Sequence, residues 1–179
     1  MVLILLADGF EEIEALTPLD VLRRAGLTVK TVGVGAKFIT GSHGIRVECD
    51  LTENEARAIS AELVIFPGGM PGAVNLDASP LTDEVIKSTL ASGGRLAAIC
   101  AAPLVLGRRG LLSGKRAVCY PGFEDELVGA SVCYEPVVTD GNITTARGMG
   151  AALDFALELT SLLCSRECAE SIAKAIIKA

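Results

Sequence analysis

An α/β fold, with a mostly parallel central sheet and helices on both faces, is what three features of this sequence predict. Continuous Val/Ile/Leu runs such as Val2–Ala7 carry no polar alternation, the mark of strands buried on both faces. Segments of helical period separate these runs, and such crossovers join parallel neighbours. Half of the 179 residues are apolar, yet only 4% are aromatic and tryptophan is absent, so the core is built from Ala, Val, Leu and Ile. At this length one domain, spanning residues 1–179, is expected.

The elements follow in order. Val2–Ala7 reads as the first buried strand, and Glu12–Ala25 as a helix with Ile13, Leu16, Leu19 and Leu22 inward and Gly26 as its stop. Thr28–Val34 returns as a strand. Phe38–Cys49, split by Gly41-Ser42-His43-Gly44, reads as a hairpin. Thr52–Ile59 is a short helix, Leu63–Phe66 a strand, and Pro67-Gly68-Gly69 a sharp loop. Pro80–Ser92 is helical, Leu96–Ile99 a strand and Ala102–Arg109 a helix. Strands are expected near Arg116–Cys119, at Val132–Thr139 and at Ile143–Ala146, before two closing helices, Ala151–Leu163 and Arg166–Lys178. In open sheets of this kind ligands sit at the carboxyl ends of strands, which singles out the loops after Ala7, Phe66, Ile99 and Cys119.

Composition excludes several function classes. Acidic residues outnumber basic ones by 22 to 16, and a net charge of −6 with no basic run argues against a specific nucleic-acid partner. The uncharged stretch Leu96–Gly107 is about half the roughly 20 residues a membrane span needs. The opening MVLILLADGFEE has no basic region and meets Asp8 at once, so neither membrane nor export is expected, and the cytoplasm is. Six cysteines scattered through apolar segments fit reduced thiols better than a disulfide framework. A single histidine, His43, excludes any metal site that needs two.

The strongest chemical signal is Leu96-Ala-Ala-Ile-Cys100-Ala-Ala-Pro103, where a buried strand runs straight into a helix. Small neighbours and an early proline suit a nucleophile elbow with Cys100 at its apex. The positive end of the helix would favour the thiolate, and the Ala101 N–H could hold an oxyanion. Taken alone, Cys100 is equally consistent with a buried structural thiol. Phe66-Pro-Gly-Gly-Met70 puts two glycines after a strand, where a backbone can approach a ligand. Glu14 shares a helical stripe with Pro18, Val21 and Ala25, which points its carboxylate inward; Glu12 shares its side with Arg23 and reads as solvated. Cys164 and Cys168, four apart, read as core packing, as do Cys49, Cys119 and Cys133. His43 falls at a hairpin tip, while Tyr120-Pro121 follows a strand and would bring the tyrosine hydroxyl to the same sheet edge as Cys100.

Together these segments resemble the ThiJ/PfpI superfamily, in the branch of the parkinsonism-associated deglycase, as a bacterial-type member. The residues carrying the resemblance are Asp8-Gly-Phe-Glu-Glu-Ile-Glu14, Pro18-Leu-Asp20, Phe66-Pro-Gly-Gly-Met-Pro-Gly72, Ala98-Ile-Cys-Ala-Ala-Pro103 and Thr145-Ala-Arg-Gly-Met-Gly150. It implies a flavodoxin-like (class I glutamine amidotransferase-like) three-layer sandwich with Cys100 as nucleophile and Glu14 as its carboxylate partner. Gly69 and Ala101 would supply oxyanion N–H groups, with Gly68, Tyr120, Pro121 and His43 as pocket candidates. No cofactor and no metal is implied. The expected partners are an α-oxoaldehyde such as methylglyoxal, a glycated protein, and a second copy of the chain packed partly through Asp20 on the first helix. That second copy would bring residues near Arg23 and the glycine hairpin towards its partner's site.

Where the family's familiar members carry a histidine before a proline, this chain has Tyr120 before Pro121, which removes the Cys–His pair and leaves Glu14 as the acid–base group. The expected activity is a cofactor-independent glyoxalase or deglycase. The alternative is a redox-sensing chaperone that uses an oxidisable Cys100, with a protease or amidase third because no acid is at hand for the leaving group.

Overall fold

The structure, a computed structural model, describes residues 1–178. Val2–Leu6 (β1) is buried at every position, and its side chains divide between two cores. Leu3 and Leu5 enter one cluster and Val2, Ile4 and Leu6 the other, which is why the strand is apolar throughout. After Glu12–Arg24 (α1) the chain returns as Val29–Gly33 (β2), then makes the hairpin Phe38–Thr40 (β3) with Arg46–Glu48 (β4). Leu51–Thr52 (β5), Glu53–Arg57 (α2), Leu63–Phe66 (β6), Gly72–Ala78 (α3) and Pro80–Ala91 (α4) follow. Arg95–Ile99 (β7) leads into Pro103–Gly107 (α5). Arg116–Ala117 (β8), Ser131–Val132 (β9), Val137–Asp140 (β10), Ile143–Ala146 (β11), Ala152–Leu163 (α6) and Arg166–Ala175 (α7) complete it.

The main sheet runs β10-β11-β7-β6-β1-β2-β5, parallel throughout except for the antiparallel β10–β11 edge. β1 pairs with β2 on one side and β6 on the other, so the chain progresses outward in both directions from this point. Loops leaving β1, β6 and β7 therefore meet above the sheet's carboxyl edge, where a doubly wound fold leaves a crevice. Helices α1 and α6 cover the face of Ile4 and Leu6; α3, α4 and α5 cover that of Leu3 and Leu5. Each fully buried Leu or Ile contributes about 1.5–3 kcal/mol. No helix among the described residues is long and apolar enough to cross a membrane.

Several local expectations are corrected. In α1, Ile13 is exposed and Leu16 and Leu19 are half-buried, and the buried residues are Glu12, Glu14, Ala15, Pro18, Val21 and Leu22. The expected Val132–Thr139 strand is two, β9 and β10, interrupted at Pro136, which has no N–H to give a ladder. The α3 helix has no counterpart among the expected elements: glycine opens it, and its exposed side mixes Val74 and Ala78 with Asn75, so no apolar stripe marks it. Cys164, at the end of α6, is exposed, and Cys133 and Cys168 are half-buried; of the outlying thiols only Cys49 and Cys119 are core residues.

Candidate active site

The junction of β7 and α5 holds Cys100 at φ +64°, a left-handed conformation that ordinary side chains avoid. Two hydrogen bonds fix it there: the Cys100 N–H donates to Ala146 O at 2.9 Å, and Cys100 O accepts from the Tyr120 N–H at 2.8 Å. The sharp turn lifts the thiol off the sheet. The N–H groups of Ala101 and Gly69 both point at it. Gly69 achieves this at φ +87°.

Gly68 shows how tightly the site is assembled. A methyl group built on it would lie 2.6 Å from Glu14 Oε2 and 2.7 Å from Cys100 Cβ, so only glycine allows the β6 loop to pass between them. The Gly68 N–H donates to Glu14 Oε2 at 2.9 Å, and its carbonyl accepts from the Glu11 N–H at 2.9 Å. Glu14 is wholly buried, and its second oxygen has no hydrogen-bond partner among the described residues. Pro18, four residues on, cannot donate to the Glu14 carbonyl, so α1 lacks one rung beneath the carboxylate.

Burial pushes Glu14 up to about 7, against the opposing hydrogen bonds from Cys100 and Gly68. Burial, with the neighbouring Glu14 carboxylate, pushes the Cys100 thiol up to about 12, although the Ala101 and Gly69 N–H groups pull it down. The expected stable thiolate is therefore not the resting state. Helix α5 has only five residues, too little dipole to outweigh burial and a carboxylate. Both of the Glu14 contributions that raise the thiol depend on the carboxylate's charge, so they vanish once Glu14 holds the proton. A proton can pass between oxygen and sulfur in such an arrangement.

The remaining candidates separate. Tyr120 stands beside Cys100, but through its backbone; its hydroxyl makes no hydrogen bond among the described residues, contrary to the expected role. Its ring lies over Gly148, and Pro121 continues the same wall. His43 is exposed and turned to a different group: its Nδ1 lies 3.0 Å from Glu12 Oε2 and 3.4 Å from Glu11 Oε2. It makes no contact with Cys100 among the described residues.

Glu12, expected to be solvated, is buried. Its Oε1 accepts from the N–H groups of His43 at 2.9 Å and Ile45 at 3.3 Å, and these bonds with His43 hold it ionised, down at about 2, against the cost of burial. It anchors the β3–β4 hairpin over the β1–α1 loop. Periodicity could not reveal this, because the partners are backbone groups some thirty residues away.

A family model, the DJ-1/PfpI family, matches residues 1–162. Protein dj-1beta of Drosophila melanogaster is 36% identical over 180 residues, covering 99% of this chain and 96% of the relative. Its crystal structure gives a TM-score of 0.95 at 35% identity, over 99% of this chain and 97% of the other. A deglycase of Pyrococcus abyssi is 34% identical (90% of this chain, 98% of the relative). A glutathione-independent glyoxalase of Caenorhabditis elegans is 31% identical (93% and 90%). With its flavodoxin-like sheet and an elbow cysteine facing a buried glutamate, this chain belongs to the DJ-1/PfpI family.

Proposed function

We propose that the protein is a cofactor-independent glyoxalase or deglycase that acts on α-oxoaldehydes, with methylglyoxal as the simplest substrate, or on their adducts. The observation that carries this reading is the pairing of Cys100, under two inward N–H groups, with a buried glutamate whose proton affinity lies near neutrality. Two relatives are named for these reactions.

In the forward reaction Glu14 takes the Cys100 proton as sulfur attacks the aldehyde carbon. The carbonyl π electrons move to oxygen, where the Gly69 and Ala101 N–H groups hold the developing charge. Protonation of that oxygen yields a hemithioacetal. Glu14 then moves the proton from the former aldehyde carbon to the neighbouring ketone carbon through an enediol, which leaves a thioester on Cys100. Water hydrolyses the thioester, releases lactate and restores the thiol. Every proton transfer falls to Glu14, because among the described residues neither His43, turned to Glu11 and Glu12, nor the Tyr120 hydroxyl hydrogen-bonds the thiol. Methylglyoxal consumption by wild type and Cys100→Ser tests the reading; equal, near-background rates in both would sink it.

A second reading is favoured by the unpartnered Glu14 oxygen. A protonated Glu14 would donate to a sulfinate formed on Cys100 by two equivalents of peroxide, which would hold oxidation at that step. Mass spectrometry after mild peroxide decides it: Cys100 must convert to sulfinate ahead of the other five thiols. A homodimer is supported by the exposed apolar residues Ile13 and Ile45, which line one groove with Leu16 on α1. Sedimentation of wild type and Ile13→Glu tests that assembly.

A further inference from the structure

Beside the Cys100 loop lies a cleft of about 500 Å³, walled by Tyr120, Pro121, Tyr134, Arg147, Met149 and Asp154. Its walls hang from the nucleophile's own peptide groups. The Tyr120 N–H donates to Cys100 O, and Arg147 directly follows Ala146, whose carbonyl accepts the Cys100 N–H. The wall residues Tyr120 and Arg147 are thus one backbone hydrogen bond, or one residue beyond it, from the peptide groups of Cys100.

Its chemistry is specific. Tyr120, Tyr134 and Met149 are each half-exposed or more, an apolar surface that the fold itself leaves uncovered. Arg147 is held by its backbone N–H to Pro136 O at 2.9 Å, and its guanidinium reaches only Tyr134 O at 3.5 Å. It has no carboxylate partner among the described residues, whereas Arg108 and Arg109 each hold two. The acid on the wall, Asp154, is neutralised by Lys178 Nζ at 2.7 Å. The cleft therefore offers one unspent cation with a planar fork suited to a carboxylate, framed by apolar walls. Methylglyoxal, uncharged and three carbons long, would leave most of this volume empty.

We propose that this cleft is a carboxylate subsite, in which Arg147 binds the anionic group of the molecule carrying the aldehyde while Tyr120 and Tyr134 cover its apolar body. This rests on the reading of Cys100 as the site of aldehyde chemistry and adds the substrate class: adducts of α-oxoaldehydes with small carboxylate-bearing thiols or amines, in preference to neutral ones.

Fluorescence gives a test that is independent of turnover. The chain has two tyrosines and no tryptophan, and both tyrosines line this cleft, so all intrinsic emission reports on it. In Cys100→Ser, N-acetylalanine should shift the emission with about tenfold higher affinity than neutral N-acetylalaninamide. In Cys100→Ser/Arg147→Gln that preference should fall below about twofold, and Arg147→Lys should keep part of it, with circular dichroism reporting the fold. Equal binding of the two probes, or a preference that survives Arg147→Gln, overturns the subsite. In parallel, wild type should favour the methylglyoxal hemithioacetal of N-acetylcysteine over that of N-acetylcysteamine in kcat/KM, and Arg147→Gln should erase the ratio. If neither hemithioacetal is turned over, the catalytic reading fails while the binding arm still decides the subsite.

Discussion

Replacing Glu14 by Gln isolates the energetic cost of the buried carboxylate. Folding raises this group from 4.5 to about 7. A group whose folded value is raised gives stability that is complete below its unfolded value and is lost as pH climbs through the folded one. Below pH 4.5 Glu14 is protonated in both states and costs nothing. Between 4.5 and 7 the unfolded chain releases the proton first, and above 7 the folded chain has given up about 3 kcal/mol, at roughly 1.4 kcal/mol per tenfold change in proton affinity.

Gln keeps an oxygen to accept the Gly68 N–H and cannot ionise. The assay is urea denaturation of wild type and Glu14→Gln at half-unit steps from pH 4 to pH 8. The difference in unfolding free energy should grow in favour of the variant by about 3 kcal/mol across that window, and flatten at both ends. In the folded wild type Cys100 keeps its proton up to about 12 and Glu12 has lost its own by about 2, and the titration of Glu12 in the unfolded chain is common to both proteins and cancels. His43 titrates alike in both proteins and cancels. A difference that does not change with pH would refute the assignment of Glu14 as a strained, ionisable core residue.

Other substitutions probe neighbouring links. The same Glu14→Gln change removes the charge that raises Cys100, so iodoacetamide should alkylate Cys100 faster at pH 8 than in wild type even as turnover collapses; slower alkylation contradicts the shared-proton account. Gly68→Ala forces a methyl between Glu14 and Cys100 and should destabilise the protein by about 1–3 kcal/mol, read as a lowered Tm, with loss of methylglyoxal turnover. Among the native thiols, exposed Cys164 should react first with a disulfide reagent, while Cys49 and Cys119, buried and raised to about 11, should stay silent until unfolding; mass mapping of the labelled peptides checks this order. Glu12→Gln removes an ionised anchor from the hairpin, and amide exchange at His43 and Ile45 should accelerate while β1 stays protected.

The order of strands and helices was legible because buried parallel strands must be apolar on both faces and their crossovers must carry one apolar stripe. Cys100 was legible for a related reason, since a cysteine among alanines at a strand-to-helix junction is a local pattern. Glu14 could be placed inward from its stripe with Pro18 and Val21. The same periodicity misjudged Ile13 and Glu12. A helix wheel knows which residues share a side, but not that a hairpin thirty residues later will bury Glu12 and leave Ile13 facing out.

The sequence by itself therefore determined the alternation, the elbow and the inward glutamate, each a consequence of nearby residues and backbone stereochemistry. The protonation state of the Cys100–Glu14 pair, the role of Glu12 and the unspent charge of Arg147 were decided by tertiary structure alone. Burial, electrostatics and the pairing of charges depend on which distant backbone and side-chain groups come to lie within a few ångströms, and no local pattern encodes that.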